Sequence, residues 1–243
     1  MNIPTLVLAA GRSTRIATVA QGRPKPLLEV GGRALLEWNL SWIAAHGVRQ
    51  AWINLHHEGA AIRAAIGRGE RYGLRVSYAE EPVLRGTAGA WKRVAREWRS
   101  TSLVVYGDNL MRFDLARLVA AHRAAGRAAT VALFEASVHA NTGPGGGRAM
   151  QRADGRVHRF REGGDAEEGS ERINAGVYAL EPSVTGWIGE GYQDFGHDVL
   201  PLLAEAGELN GHVIEAGGFC LGLDTPERYS RATELVRRGA VVL

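Results

Sequence analysis

Apolar and polar positions along this chain follow two rhythms. Short runs rich in Val, Leu and Ile end in glycine or charged turns, and stretches follow in which apolar positions recur every three to four residues. Residues 5–9, 51–55 and 74–79 read as strands, and residues 34–46, 59–67 and 88–98 as amphipathic helices. Strand, turn and helix in regular succession build parallel βαβ units. The expected class is therefore α/β, a Rossmann-like mixed but mostly parallel sheet flanked by helices. An apolar run at 102–106 adds a strand, Gly107-Asp108-Asn109 a turn, and 114–125 a further helix. Ligand chemistry in such a sheet lies beyond the carboxyl ends of the strands, where Gly11, Glu81 and Asp108 fall.

The later half changes rhythm. Residues 129–135, 156–161 and 172–180 read as strands between glycine-rich connections, with a turn at 141–147, and suggest a small mixed sheet over the crevice of the first. A short helix is expected over 198–205, with Pro201 near its start, and a terminal helix over 226–238 behind the cap residue Thr225. No repeat or linker divides the chain, so residues 1–243 are expected to form one domain.

Composition changes this picture little. Hydrophobic residues at 45% and charged residues at 23% are ordinary for a folded globule. The net charge of +3 comes from scattered basic residues without a block of like charges, which leaves no nucleic-acid footprint but suits a small anionic substrate. The opening MNIPTLVLAAG has no basic segment before it and no window holds eighteen apolar residues, so no membrane partner is expected and the cytoplasm is the default location. The lone Cys220 excludes an internal disulfide and a thiolate-rich zinc site. His56 and His57 lack a third ligand at zinc-like spacing, and Trp38, Trp42, Trp52, Trp91 and Trp98 read as core or as contacts of a homo-oligomer. Of 29 lysines and arginines, lysine stands only at Lys25 and Lys92, which marks Pro24-Lys25-Pro26 as a place for a compact point charge.

Candidate chemistry gathers in five segments. Leu8-Ala9-Ala10-Gly11 follows the first strand, then come Thr14-Arg15 and Pro24-Lys25-Pro26; glycine lets backbone amides approach a ligand, and Arg15 and Lys25 can meet phosphates. This is neither a P-loop nor a dinucleotide fingerprint. Glu80-Glu81-Pro82 precedes Gly86-Thr87-Ala88-Gly89, and either glutamate could carry the role of the pair. Asp108 leaves an apolar strand, where a carboxylate can hold Mg²⁺, a hard cation that wants oxygen ligands. Glu162, Asn174 and Gly176 form the fourth segment, and Asp224-Thr225-Pro226 the fifth, just before the terminal helix.

Taken in order, these segments resemble the sugar-nucleotide pyrophosphorylases, or sugar 1-phosphate nucleotidyltransferases, in the manner of the short hexose or heptose 1-phosphate guanylyltransferases. The resemblance implies transfer of a nucleoside monophosphate from a nucleoside triphosphate to a sugar 1-phosphate, with Mg²⁺ as cofactor and a small sugar-binding β subregion. It implies that Arg15, Lys25 and Asp108 serve catalysis, that Leu8, Ala10, Gly11, Glu81, Gly86, Thr87 and Gly107 hold the nucleotide, and that Asn109, Glu162, Asn174 and Gly176 hold the sugar phosphate. A carboxylate at Glu81 only accepts hydrogen bonds, and guanine offers two adjacent donors, which favours GTP. Uridylyl, thymidylyl or cytidylyl transfer, and a regulatory protein that binds nucleotide sugars without turnover, stay open.

Three positions depart from the family pattern. Ser13 stands for a glycine. Gly163 stands for a lysine that binds the acceptor phosphate; Arg159 or Arg161 could substitute, although strand alternation puts both on the face opposite Phe160 and Glu162. Gly222 stands for a metal-binding aspartate. Asp224 follows two residues later on the same strand face, displaced by roughly 6.5 Å, and is either the second metal ligand or an acidic residue at the start of the terminal helix.

Overall fold

A computed structural model describes residues 3–11, 14–143, 145–163 and 172–243. Ser13, and Pro144 of the turn expected at 141–147, lie outside the described residues. The chain begins with β1 (Thr5–Leu8), a short helix α1 (Ala17–Ala20) and a hairpin of β2 (Glu29–Val30) and β3 (Arg33–Ala34). It continues through α2 (Leu35–Ala45), β4 (Gln50–Leu55), α3 (Gly59–Ile66), β5 (Arg75–Glu80), α4 (Gly86–Ala95) and β6 (Ser102–Tyr106). β5, β4, β1 and β6 lie side by side in that order, all parallel, with Thr5 level with Ala51 on one side and Leu103 on the other. All four strands therefore end on one edge, with α2, α3 and α4 lying between successive strands in the chain.

Beyond β6 come β7 (Asn109–Arg112), α5 (Leu115–Ala125), β8 (Ala129–Glu135), β9 (Ala140–Asn141), β10 (Arg148–Gln151), β11 (Val157–Arg161) and β12 (Arg172–Leu180). The chain closes through α6 (Leu200–Glu205), β13 (Leu209–Val213), β14 (Phe219–Gly222) and α7 (Pro226–Arg237). The strands at 129–135 and 172–180 form at their expected bounds, but they continue the main sheet instead of lying over it. β12 runs antiparallel to β6, and β8, β10, β11 and β13 join through it into one nine-stranded sheet. The separate small sheet is β7-β14-β9, at the edge where the parallel strands end. Ahead of α6, residues Phe195–Val199 form a π-helical turn whose Asp194 cap accepts from the Gly196 and His197 N–H groups; Pro201, without an N–H, falls in the first turn of α6.

Alternation along β1 feeds a core on each face of the sheet. Val7 packs with Leu36 and Leu40 of α2, while Leu6 and Leu8 pack with Ala90 and Trp91 of α4. A third apolar cluster joins Ile16 and Leu28 of the N-terminal loops to Leu35, Leu110, Leu221 and Leu223. Each fully buried side chain of this kind contributes about 1.5–3 kcal/mol, and together they fix where the loop bearing Arg15 and Lys25 meets the chain leaving β14.

Candidate active site

The site grows from the ends of β1 and β6. The Gly107 N–H donates to the Leu8 carbonyl at 2.9 Å, and a Cβ at Gly107 would stand 2.8 Å from that oxygen, so glycine is what lets the two strand ends close together. β6 then delivers Asp108 into solvent reach. Opposite it, Pro24 opens a short 3-10 turn, Lys25–Leu27, that buries Lys25 to 3% side-chain exposure. The Lys25 Nζ donates to Asp108 Oδ2 at 2.9 Å and to Asp224 Oδ1 at 2.7 Å.

Asp224 sits between β14 and α7, and the α7 cap is Thr225, whose Oγ1 accepts from the Arg228 N–H at 3.3 Å. The Asp224 carboxylate therefore turns to cations instead of capping the helix: besides Lys25, Arg15 Nη2 and Arg228 Nη1 each lie 3.5 Å away. Burial pushes the Asp224 carboxyl up, but Lys25, Arg15 and Arg228 outweigh it and hold it below its ordinary value. Burial likewise pulls the Lys25 ammonium down, and Asp108 and Asp224 reverse the sign, leaving it raised.

Two hollows meet at this point, sharing Tyr106 and Asp108 in their walls. One, of 150 Å³, has mostly apolar walls that include Leu8, Ala10, Gly11, Gly86 and Thr87. The other, of 490 Å³, is polar and is lined by Asn109, Glu162, Asn174, Gly176 and Asp224, with Arg15 and Arg228 at its wall. Glu162 reaches a pKa of about 7, first through burial and then through the charges of Asp194 and Asp224. Asn174 spends its amide internally, Oδ1 accepting from the Gly176 N–H at 2.8 Å and Nδ2 donating to the Tyr178 hydroxyl at 2.7 Å. This pins the register shift of β12, where Gly176 adopts a φ of 76°.

Several expected residues are placed differently. Glu81 is buried behind the apolar hollow, not in its wall. Its Oε1 accepts from Asn54 Nδ2 at 2.8 Å and its Oε2 from the Arg85 N–H at 3.0 Å, and it borders a separate hollow beside His56. The cleft wall at this level is Asn54, whose Oδ1 accepts from the Ala9 N–H at 2.8 Å. Glu80 is exposed and pairs with Arg63 at 2.5 Å, so the two adjacent glutamates do not share a role. Arg159 and Arg161 lie on the exposed face of β11, opposite buried Phe160, and do not line the polar cavity. Thr87 bonds to Asp194 at 2.8 Å and ties the start of α4 to the π-helical turn. Asn54 and Arg228 were passed over in the sequence. An amide inside the apolar run 51–55 signals the first, and the four-residue spacing from Asp224 signals the second.

Among the described residues no group of three or more His, Cys, Asp or Glu could hold a metal, and no helix is long and apolar enough to cross a membrane. A model of the nucleotidyl transferase family matches residues 4–222. The chain is 29% identical over 216 residues to a UTP–glucose-1-phosphate uridylyltransferase of Synechocystis, covering 83% of this chain and 55% of that protein. It is 29% identical over 239 residues to a mannose-1-phosphate guanylyltransferase of Mycobacterium tuberculosis, covering 98% of this chain and 65% of the relative. The chain thus spans between 55% and 65% of the length of these curated relatives. The crystal structure of HddC from Yersinia pseudotuberculosis complexed with GMP-PN superposes with a TM-score of 0.79 at 21% identity, over 96% of this chain and 99% of that one.

Proposed function

The chain belongs to the nucleotidyl transferase family, and on that premise we propose that it transfers a nucleoside monophosphate from a nucleoside triphosphate to a sugar 1-phosphate. The observation that carries this reading is the meeting of an apolar and a polar hollow at Asp108, with Lys25 buried beneath and Arg15 beside it. The base and ribose of the donor fit the apolar side, between Leu8 to Gly11 and Gly86-Thr87, and the sugar phosphate fits the polar side. The α-phosphate then falls at the junction. An acceptor phosphate oxygen forms the new bond to the α-phosphorus while the bond to the β-phosphate bridging oxygen breaks and pyrophosphate leaves. The attacking oxygen is already anionic, so no general base is needed, and positioning and charge neutralisation by Arg15 and Lys25 carry the step.

Mg²⁺ fits this site by the chemistry of its donors: two carboxylates, Asp108 and Asp224, converge on one point that a cation already holds, the Lys25 ammonium. These two residues would hold the ion, which when bound supplies positive charge to the phosphates. We propose GTP as the donor on the guanylyltransferase relative; the uridylyltransferase relative, at the same 29% identity, makes UTP the second donor to test. Reading guanine through Glu81 requires its carboxylate to exchange the Asn54 amide for the base edge. Pyrophosphate release by the purified protein, crossing GTP, UTP, dTTP and CTP with hexose and heptose 1-phosphates, tests the whole reading. Turnover that favours GTP supports it, turnover favouring a pyrimidine nucleotide corrects the donor, and silence across the panel rejects the activity.

A further inference from the structure

The polar cavity has a charge problem that its own residues must answer. A sugar 1-phosphate carries a phosphate into walls that already include Asp108, Glu162 and Asp224, so a cation must meet it there. Gly163 offers no side chain to the cavity, and Arg159 and Arg161 are on the other face of β11. Among the described residues the arginines that line the cavity are Arg15 and Arg228. Arg15, in the 3-10 turn Thr14–Ile16 after β1, is 74% exposed, and its guanidinium stands at the open side of the cavity wall. Arg228 rises from the first turn of α7 with its side chain 26% exposed, and its guanidinium lies over the glycine-rich connection between β9 and β10.

The fit between guanidinium and loop is close. A Cβ at Gly145 would stand 2.2 Å from Arg228 Nη1 and 2.5 Å from Nη2, so no other residue at 145 leaves the guanidinium where it is. Gly143 and Gly146 flank it with φ of 120° and 104°, backbone that side chains rarely adopt. Asp224 holds one nitrogen at 3.5 Å, and the planar fork has five N–H donors, enough to grip a phosphate while still leaning on Asp224.

Resting on the reading above, we propose that Arg228 binds the phosphate of the sugar 1-phosphate acceptor. The test uses the full chain and an acceptor and donor pair that turns over in the panel. Arg228→Gln should raise the acceptor KM roughly tenfold or more while the nucleotide KM stays within about twofold, because the lost contact belongs to one substrate only. Arg228→Lys should recover part of that loss, since it restores the charge without the fork. Gly145→Ala keeps the arginine, displaces it, and should raise the acceptor KM in the same direction; this variant and the lysine variant carry the test if the glutamine variant fails to fold. Calorimetric titration with the acceptor and with the same sugar lacking its phosphate adds a readout without turnover, in which wild type prefers the phosphorylated form and Arg228→Gln loses that preference. A fall in kcat with both KM values unchanged, or an intact preference for phosphate, overturns the proposal and leaves the transferase reading standing. A wild-type protein inactive on every pair overturns both.

Discussion

Glu162 occupies a tight place at the end of β11, where a Cβ on Gly147 or Gly196 would come within 2.6 or 2.2 Å of its Oε2. Burial is the first cause of its pKa of about 7, against an ordinary 4.5. A carboxyl raised on folding binds more protons in the folded than in the unfolded state over that interval, so stability falls as pH climbs from about 4.5 to 7. At about 1.36 kcal/mol per pH unit the whole interval is worth at most about 3 kcal/mol. Glu162→Gln cannot titrate, so the melting temperature of wild type should drop relative to the variant as pH rises from about 5 to 7.5. Thermal scans of both proteins across that range check it, and a constant difference would mean the carboxyl is not raised. At this scale the sequence revealed residue types but not their partners. Glu81 and Asp108 both stand at strand ends, yet one faces the junction and the other is engaged by Asn54 and the Arg85 N–H. That distinction depends on an amide in the neighbouring strand β4.

At the scale of elements, legibility followed the length of the apolar run. β6, β8 and β12 could be read at their bounds because apolar residues predominate in each and turns border them. β7, β9 and β13 passed unread because two to five residues, with glycine or polar positions among them, give no period to detect. Their pairing partners lie far along the chain, and yet the small sheet they include carries the approach to Asp224. α4 shows the same limit at its start. Periodicity places that start at 88, whereas the helix opens at Gly86 with a φ of 75°, and the Ala88 and Gly89 N–H groups donate to the Gln193 carbonyl at 3.0 and 3.1 Å. A Cβ on Gly86 would stand 2.3 Å from that same carbonyl oxygen. Gly86→Ala combines left-handed strain of roughly 1–2 kcal/mol with overlap against backbone, and should destabilise by about 2–4 kcal/mol. It should also raise the nucleotide KM more than the acceptor KM, since Gly86 and Thr87 line only the apolar hollow. Denaturant unfolding and the two KM values check both parts; a variant as stable as wild type would mean α4 is not anchored at Gln193.

Across the whole molecule, Lys25 joins parts of the chain that are far apart in sequence: the N-terminal loop, the end of β6, and the passage from β14 to α7. The sequence offered Lys25, Asp108 and Asp224 as separate candidates and left Asp224 divided between metal ligand and helix start. Only the tertiary arrangement joins them, because Thr225 takes the cap and the third apolar cluster brings the loops together. Lys25→Met removes the cation at 3% exposure and leaves the two carboxylates facing each other, with Arg15 and Arg228 at 3.5 Å from Asp224 alone. Losing one partner of a buried charge pair costs roughly 3–5 kcal/mol, but Asp108 and Asp224 are 36% and 26% exposed, so screening brings the expected loss to about 1–3 kcal/mol. Mg²⁺ held by the same two carboxylates would replace the missing charge and stabilise the folded state by mass action. Melting temperatures across a Mg²⁺ titration should therefore begin lower for Lys25→Met than for wild type and rise further, because the variant's carboxylates have no ammonium between them. A second titration with Asp224→Asn added to the variant should lose most of that rise. Equal Mg²⁺ shifts in wild type and Lys25→Met, or a rise that survives the loss of Asp224, would place the ion elsewhere and leave Lys25 as a purely structural link between the two ends of the fold.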